Sequence, residues 1–233
     1  MYDHEALARP HHSQEFPLLI HPWDSAGPDE WRSWLATTAP FGQLVVTHTD
    51  VREAPLVIPT HAVIDGDVLL IHLARPNPIW THITAHPRVL FSVIGDYAYI
   101  PSTWRAKAGG PDEDGVPTSY YAAVQFTCDA TVVSDAEEKA ALLRTQLSHI
   151  QPEGGYAEVG ADLPPYGRML PGILGLRLQI VEVVAKFKYD DHNPLTHREN
   201  VSRRLIERGE FHDPGAAAEQ TRRLNERGEW KVR

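Results

Sequence analysis

Residues 57–91 read VIPTHAVIDGDVLLIHLARPNPIWTHITAHPRVLF, and the fold is decided there. Val57, Ile58, Ala62, Val63 and Ile64 form a β-rich run, and Asp65-Gly66-Asp67 is a turn signal. Val68 to Leu73 predicts a second strand and Val89 to Val93 a third. Between them lie a polar loop and a short helix, with Ile79, Trp80 and Ile83 at helical spacing. Two histidines interrupt the apolar pattern. Strand side chains alternate faces, so His61 falls with Val57, Pro59 and Val63, and His72 with Val68 and Leu70. Neutral imidazole ligates metals and hydrogen-bonds to cofactors and substrates. Equally, a strand histidine can be half-buried and satisfied by a backbone group.

The chain has 233 residues and 42% hydrophobic content, enough to bury a core without staples. A single domain over 1–233 is expected, with C-terminal helices from about 194. One cysteine, Cys128, excludes an internal disulfide and a cysteine-built zinc cage, and suits a reducing cytoplasm. The opening YDHEALARPHH lacks the basic and apolar regions of a secretory signal. No apolar run is long enough to span a membrane. The net charge of −9 argues against nucleic acid as a partner, which needs a basic face. Arg198, Arg203, Arg204 and Arg208 are diluted by Glu199, Glu207 and Glu210 and read as a solvated helix face.

Along the rest of the chain, residues 1 to 26 read as irregular. A helix begins after Pro28 with Trp31, Trp34 and Leu35 on one stripe, and Pro40-Phe41-Gly42 ends it. Leu44 to Thr47 and Tyr97 to Ile100 are strands. Lys107 to Gly115 is a Gly/Pro/Asp-rich loop of the kind that covers a site. Ser119 to Val133 is a long strand, and Asp135 to Ile150 an amphipathic helix with Ser134 as its cap. Leu174 to Lys188 is another long strand, with Leu176, Leu178, Ile180 and Glu182 in one phase. Helices follow over Leu195–Arg208 and Ala216–Arg227. This pattern is α+β, an antiparallel barrel of five or six strands with peripheral helices.

No Gly-rich phosphate loop, nucleophile elbow or zinc-protease helix motif occurs. His72-x-x-Arg75-x-Asn77 leads from a strand into a helical turn, a natural anion site, unless Arg75 and Asn77 merely order the loop. Tyr97, Tyr99, Trp104, Tyr120 and Tyr121 can stack on a planar cofactor or serve as core. Lys186 and Lys188 share a strand face that either balances an anion or protects an edge. His192, His197 and Arg198 read as surface. Cys128 reads as a small core residue.

Several strings occur in order: Met1-Tyr2, Pro40-Phe41-Gly42-x-Leu44-Val45, His72-Leu73-Ala74-Arg75-x-Asn77-Pro78-x-Trp80, Ala98-Tyr99-Ile100-x-Ser102-x-Trp104, Val116-Pro117-Thr118 and Met169-Leu170-x-x-Ile173-x-Gly175. Together they resemble the PaiB-like proteins, labelled FMN-binding negative transcriptional regulators, over nearly all of residues 1 to 205. The resemblance implies a split β-barrel of the flavin-reductase and pyridoxamine-phosphate-oxidase type. It also implies a homodimer with a planar cofactor at the subunit interface. Three departures fall in cofactor-region motifs: Ser119-Tyr120-Tyr121 for the family's Trp-Asn-Tyr, Lys186 to Asn193 for its Lys-x-Lys-Leu-Ser-Gln-Asn-Arg, and Pro59-Thr60-His61 for its His-Leu-Pro.

These departures are similar to those of the heme-dependent branch, the piperazate synthases, which close an N–N bond in N5-hydroxy-L-ornithine with loss of water. On that resemblance the cofactor is heme b, with FMN as the alternative. His61 is the first choice of iron ligand and His72 the second. Arg75, Asn77, Trp80 and Lys188 are further cofactor contacts. Tyr97, Tyr99 and Tyr121 are candidate proton donors, and Arg75 or Lys186 a candidate clamp for a propionate or the substrate carboxylate. A flavin-binding oxidoreductase and a transcriptional regulator are the competing readings. The acidic charge and the lack of a recognition helix count against the regulator.

Overall fold

The structure is a computed structural model and describes residues 18–38, 40–106 and 110–228. Met1-Tyr2 and the start of the Lys107–Gly115 loop lie outside the described residues. The described residues form eight strands: β1 (Phe41–Val46), β2 (Leu56–His61), β3 (Val63–Asp65), β4 (Val68–Ala74), β5 (Arg88–Ile94), β6 (Ala98–Ile100), β7 (Thr118–Val133) and β8 (Ile173–Lys188). Helices are α1 (Glu30–Thr37), α2 (Ile79–Ala85), α3 (Ala136–Ile150), α4 (Tyr166–Met169), α5 (Leu195–Arg208) and α6 (Asp213–Arg227).

All pairings are antiparallel, in the order β2-β1-β5-β7-β8-β4-β3, with β6 added to β7. The sequence run 57–64, expected as one strand, is two. At Ala62 the chain leaves β1 and joins β4; the Ala62 amide donates to the Pro40 carbonyl (3.0 Å). The two ends of the curled sheet are thus consecutive in the chain, which is how the barrel closes while remaining split. Gly66 takes φ +61° in the β3–β4 turn, the left-handed conformation that glycine adopts without a Cβ penalty.

The core lies inside the curl. Leu44, Val46, Leu69, Ile71, Phe91, Val124, Phe126, Leu176 and Leu178 are fully buried and belong to one cluster, with Trp31 and Trp34 of α1 capping it. Cys128 is part of this core, and burial pushes its thiol up to about 12. Tyr120 is also core. Its hydroxyl accepts from Gln220 (3.1 Å) and donates to Asp190 (3.3 Å), so it is not available to stack on a ligand.

Several expectations shift by a residue or more for identifiable reasons. Helix α1 stops at Thr37, and Phe41 and Gly42 already belong to β1. Helix α3 is capped by Asp135, not Ser134. The Asp135 carboxylate accepts from the Glu137 (2.9 Å) and Glu138 (3.0 Å) amides. In β8 the phase breaks after Ile180. A bulge pairs Cys128 with Ile180 but Thr127 with Glu182, so Glu182 turns outward and Val183 inward.

The largest departure concerns the C-terminal arginines. Arg198 and Arg223 are both 0% exposed, and Asp191 bridges them at 2.7 and 2.6 Å. Arg223 also pairs with Glu30 of α1, which Arg222 reaches at 2.8 Å. Arg198 is therefore the anchor of α5 on the barrel rather than part of a solvated face. His197 likewise has a buried Nε2, with no hydrogen-bond partner among the described residues. Burial lowers its pKa.

Candidate functional site

Strand parity places the two histidines together. Leu69 and Ile71 face the core, so His72 points to the outer face of β4. Ala62 and Ile64 face the core, so His61 points outward too. Their rings meet edge to face with centroids 5.7 Å apart. Phe41, exposed, lies directly across from His61 in the β1–β2 ladder.

Helix α3 covers this part of the outer face, and Gly175, opposite His72 in β8, lets it approach. A Cβ on Gly175 would lie 2.9 Å from the Leu142 side chain and 3.2 Å from that of Val133. From α3, Gln146 reaches in. Its Nε2 donates to the Leu70 carbonyl at 2.9 Å, and its Oε1 lies 2.6 Å from His72 Nδ1. The first contact fixes the amide, because reversing it would set two carbonyl oxygens against each other. Gln146 Oε1 must then accept, so His72 Nδ1 carries a proton. A ring nitrogen oriented through its opposite N–H is the arrangement that supports metal-ligating histidines. His61 makes no side-chain hydrogen bond among the described residues. Burial, and secondarily His72, lower its pKa, which holds the imidazole neutral near pH 7.

Beyond His72, the polar loop is mostly occupied with holding itself. Asn77 Oδ1 accepts from the Ile79 amide (3.2 Å), and Trp80 Nε1 donates to the Ala74 carbonyl (3.2 Å). Arg75 is exposed and forms no salt bridge among the described residues. Nearby, Lys139 of α3 is buried and donates to the Leu170 (2.7 Å) and Ile173 (3.2 Å) carbonyls. Its pKa is lowered by burial and by Arg75.

A second group lies at the far end of β8. Lys186 and Lys188 share the outer face, and Tyr121 pairs with Lys188 in the β7–β8 ladder. Lys186 Nζ sits 5.9 Å from the Tyr121 ring centroid and donates to the Leu19 carbonyl at 2.6 Å. Lys188 donates to Thr118 Oγ1 and to the Ser119 carbonyl. Tyr99, across from Ser119, and Tyr97 are half exposed. Gly175 and Lys186 are eleven residues apart on β8. At ~3.3 Å per residue that is about 36 Å of strand path. Within one chain, the histidines and the tyrosine–lysine group are therefore not one site.

Sequence reading missed Gln146 and Asp24. Gln146 carried a faint signal, a polar residue on the same helical stripe as Leu142. Asp24 carried none, since its surroundings come from a strand more than 150 residues later.

A match to the family described as "Putative FMN-binding domain" spans residues 21–182. The chain belongs to this FMN-binding family. The PaiB-like resemblance of the sequence thereby holds. A relative in Bacillus subtilis (strain 168), protease synthase and sporulation protein PAI 2, is 27% identical over 136 residues, 58% of this chain and 62% of that protein. The chain thus spans less than two thirds of that relative's length. Among solved structures, a flavocytochrome from Azotobacter vinelandii superposes with a TM-score of 0.54 at 18% identity, covering 71% of this chain and 70% of that one. The FAD and heme binding protein from Mycobacterium smegmatis gives 0.50 at 21% identity, covering 70% and 72%. At these identities the likeness speaks for the fold, and the split barrel expected from sequence is the one observed. In this FMN-binding family member no helix among the described residues is long and apolar enough to cross a membrane.

Proposed function

We propose that the chain is a heme-dependent enzyme converting N5-hydroxy-L-ornithine to L-piperazic acid and water. The observation that carries this reading is the outward-facing His61–His72 pair: two imidazoles in contact, one neutral through burial, the other oriented by Gln146. Neutral imidazole with an orienting partner nearby is the donor chemistry a heme iron takes from protein. One solved structure of this fold is that of a FAD and heme binding protein. His61 would hold the iron, since its ring nitrogens are uncommitted within the described residues, whereas His72 Nδ1 is held by Gln146. Arg75 would pair with a propionate.

The iron would act as a Lewis acid on the N–OH oxygen. The remaining work belongs to the chain. The folded substrate is held so that its α-amine lone pair meets N5 as the N–O bond breaks, a proximity effect. One proton must move from the α-nitrogen to the departing oxygen, giving water with no net oxidation or reduction. Tyr121, beside Lys186, is the nominated donor, and Tyr97 and Tyr99 the alternates. Because the tyrosine–lysine group is remote from His61 along β8, the reading requires a homodimer with the cofactor at the subunit interface. Incubation of heme-loaded protein with N5-hydroxy-L-ornithine, read by mass spectrometry, should show loss of one water. Unchanged substrate with fully loaded protein would refute the reaction.

A flavin-binding oxidoreductase is the second reading, favoured by the family match itself. Arg75 of one protomer or Lys188 of the other would then meet the FMN phosphate. It predicts a yellow protein that releases FMN on denaturation.

A further inference from the structure

Asp24 ends a 3-10 turn (Pro22–Asp24) lying along the second half of β8, where Ser25 bridges Lys186. The residue is 2% exposed, yet its carboxylate forms no hydrogen bond and no salt bridge among the described residues, and Oδ2 is fully buried. A buried carboxylate left in this state is costly, and native folds nearly always pair one. Burial raises its pKa, while Lys186, His21 and Lys188 pull it back down.

The opposing cations are under-used as well. Lys186 spends one of its three N–H donors on Leu19, and Lys188 spends two on Thr118 and Ser119. Neither reaches Asp24. Burial lowers the Lys188 pKa. Both lysines act on the Asp24 carboxylate electrostatically, and neither forms a salt bridge with it among the described residues. Lys188, Tyr121 and Ser119 are only partly buried, so the region opens to solvent on their side. The residues flanking Asp24 (His21, Pro22, Ser25) line a cavity of about 410 Å³ against Val183, Val184 and Ala185.

We propose that Asp24, Lys186 and Lys188 form a recognition site for the zwitterionic end of an amino acid, Asp24 taking the ammonium and the lysines the carboxylate. The charges on the protein are the complement of those on an α-amino acid, and each is held without its partner. The placement of this site in the reaction rests on the proposed function; its existence does not. The arrangement also means that Asp24 burdens the unliganded fold, as a group kept for binding rather than for stability does.

The test is calorimetric titration of the full chain with L-ornithine, N5-hydroxy-L-ornithine and a panel of other L-amino acids. Putrescine and pentanoate, each lacking one charged end, serve as controls. At least one amino acid should bind the wild type, and both controls should bind about tenfold more weakly or worse. Asp24→Asn and Lys188→Gln should each weaken binding about tenfold or more, and Asp24→Asn should leave the cofactor spectrum in place. Without ligand, Asp24→Asn should melt above the wild type, whereas a carboxylate needed by the fold would be missed. The proposal is overturned by flat titrations across the panel, by unchanged binding in Asp24→Asn, or by a lowered melting temperature in that variant. Amino-acid binding without N–N bond formation would retire the reaction and leave the site. Full turnover with unaltered KM in Asp24→Asn would retire the site and leave the reaction.

Discussion

Replacing Gln146 by leucine tests the geometry on which the histidine site rests. The side chain is 2% exposed and makes two hydrogen bonds, at 2.9 Å to the Leu70 carbonyl and 2.6 Å to His72 Nδ1. Leucine fills a similar volume and restores neither. At ~0.5–1.5 kcal/mol net per bond, the loss is about 1–3 kcal/mol. For a chain of this length each kcal/mol moves the melting temperature by roughly 2–4 °C, so Gln146→Leu should melt about 2–12 °C lower. The sharper assay is nitrogen NMR of the imidazoles. In the wild type, His72 should carry its proton on Nδ1; in Gln146→Leu the proton should redistribute toward Nε2. Gln146 touches His72 and not His61, the proposed ligand, so hemin affinity should change by less than the about 10–100-fold that follows loss of a ligand's own orienting partner. A wild-type His72 protonated on Nε2 would refute the reasoning, because Gln146 would then be oriented the other way.

Further outcomes follow from the charge network and the titrating groups. Asp191→Asn leaves the fully buried Arg198 and Arg223 without their shared carboxylate. It should cost about 3–5 kcal/mol in denaturant unfolding; a loss below about 1 kcal/mol would show that the pairs carry little. The lowered pKa of His61 means that the unfolded chain binds the proton first as pH falls, so this group's share of stability is held at neutral pH and lost on acidification through the folded pKa. In the unliganded chain, His61→Ala should abolish that dependence, as followed by thermal melts at stepped pH. Asp24 has the opposite sign. Its raised pKa makes the fold the better proton binder just above the ordinary aspartate range, so stability falls as pH rises through that window. Asp24→Asn should flatten the slope, as followed by thermal melts at stepped pH.

Much of the fold was legible because period-2 alternation and turn chemistry are local. The two long strands, the Asp65-Gly66-Asp67 turn and helices α3 and α5 follow from neighbouring residues alone. What was not legible depends on distant partners. The bulge at Ile180 arises from pairing with Thr127 and Cys128, and it reverses the expected phase of Glu182. The burial of Arg198 depends on Asp191 and on α6 meeting α1 through Glu30. The candidate site divides in the same way. Strand parity puts His61 and His72 on their faces, but only the corner at Ala62 brings them into contact. The anion loop read from Arg75 and Asn77 is half structural, since Asn77 is spent on the Ile79 amide. Tyr121, Lys186 and Lys188 do share a face, and Asp24 arrives there from the opposite end of the sequence.

The absorption spectrum of protein reconstituted with hemin addresses the cofactor most directly. A Soret band that is lost or shifted in His61→Ala, and altered less in His72→Ala, is the expected result. A flavin spectrum, no uptake of hemin, or a band indifferent to both substitutions would contradict the assignment.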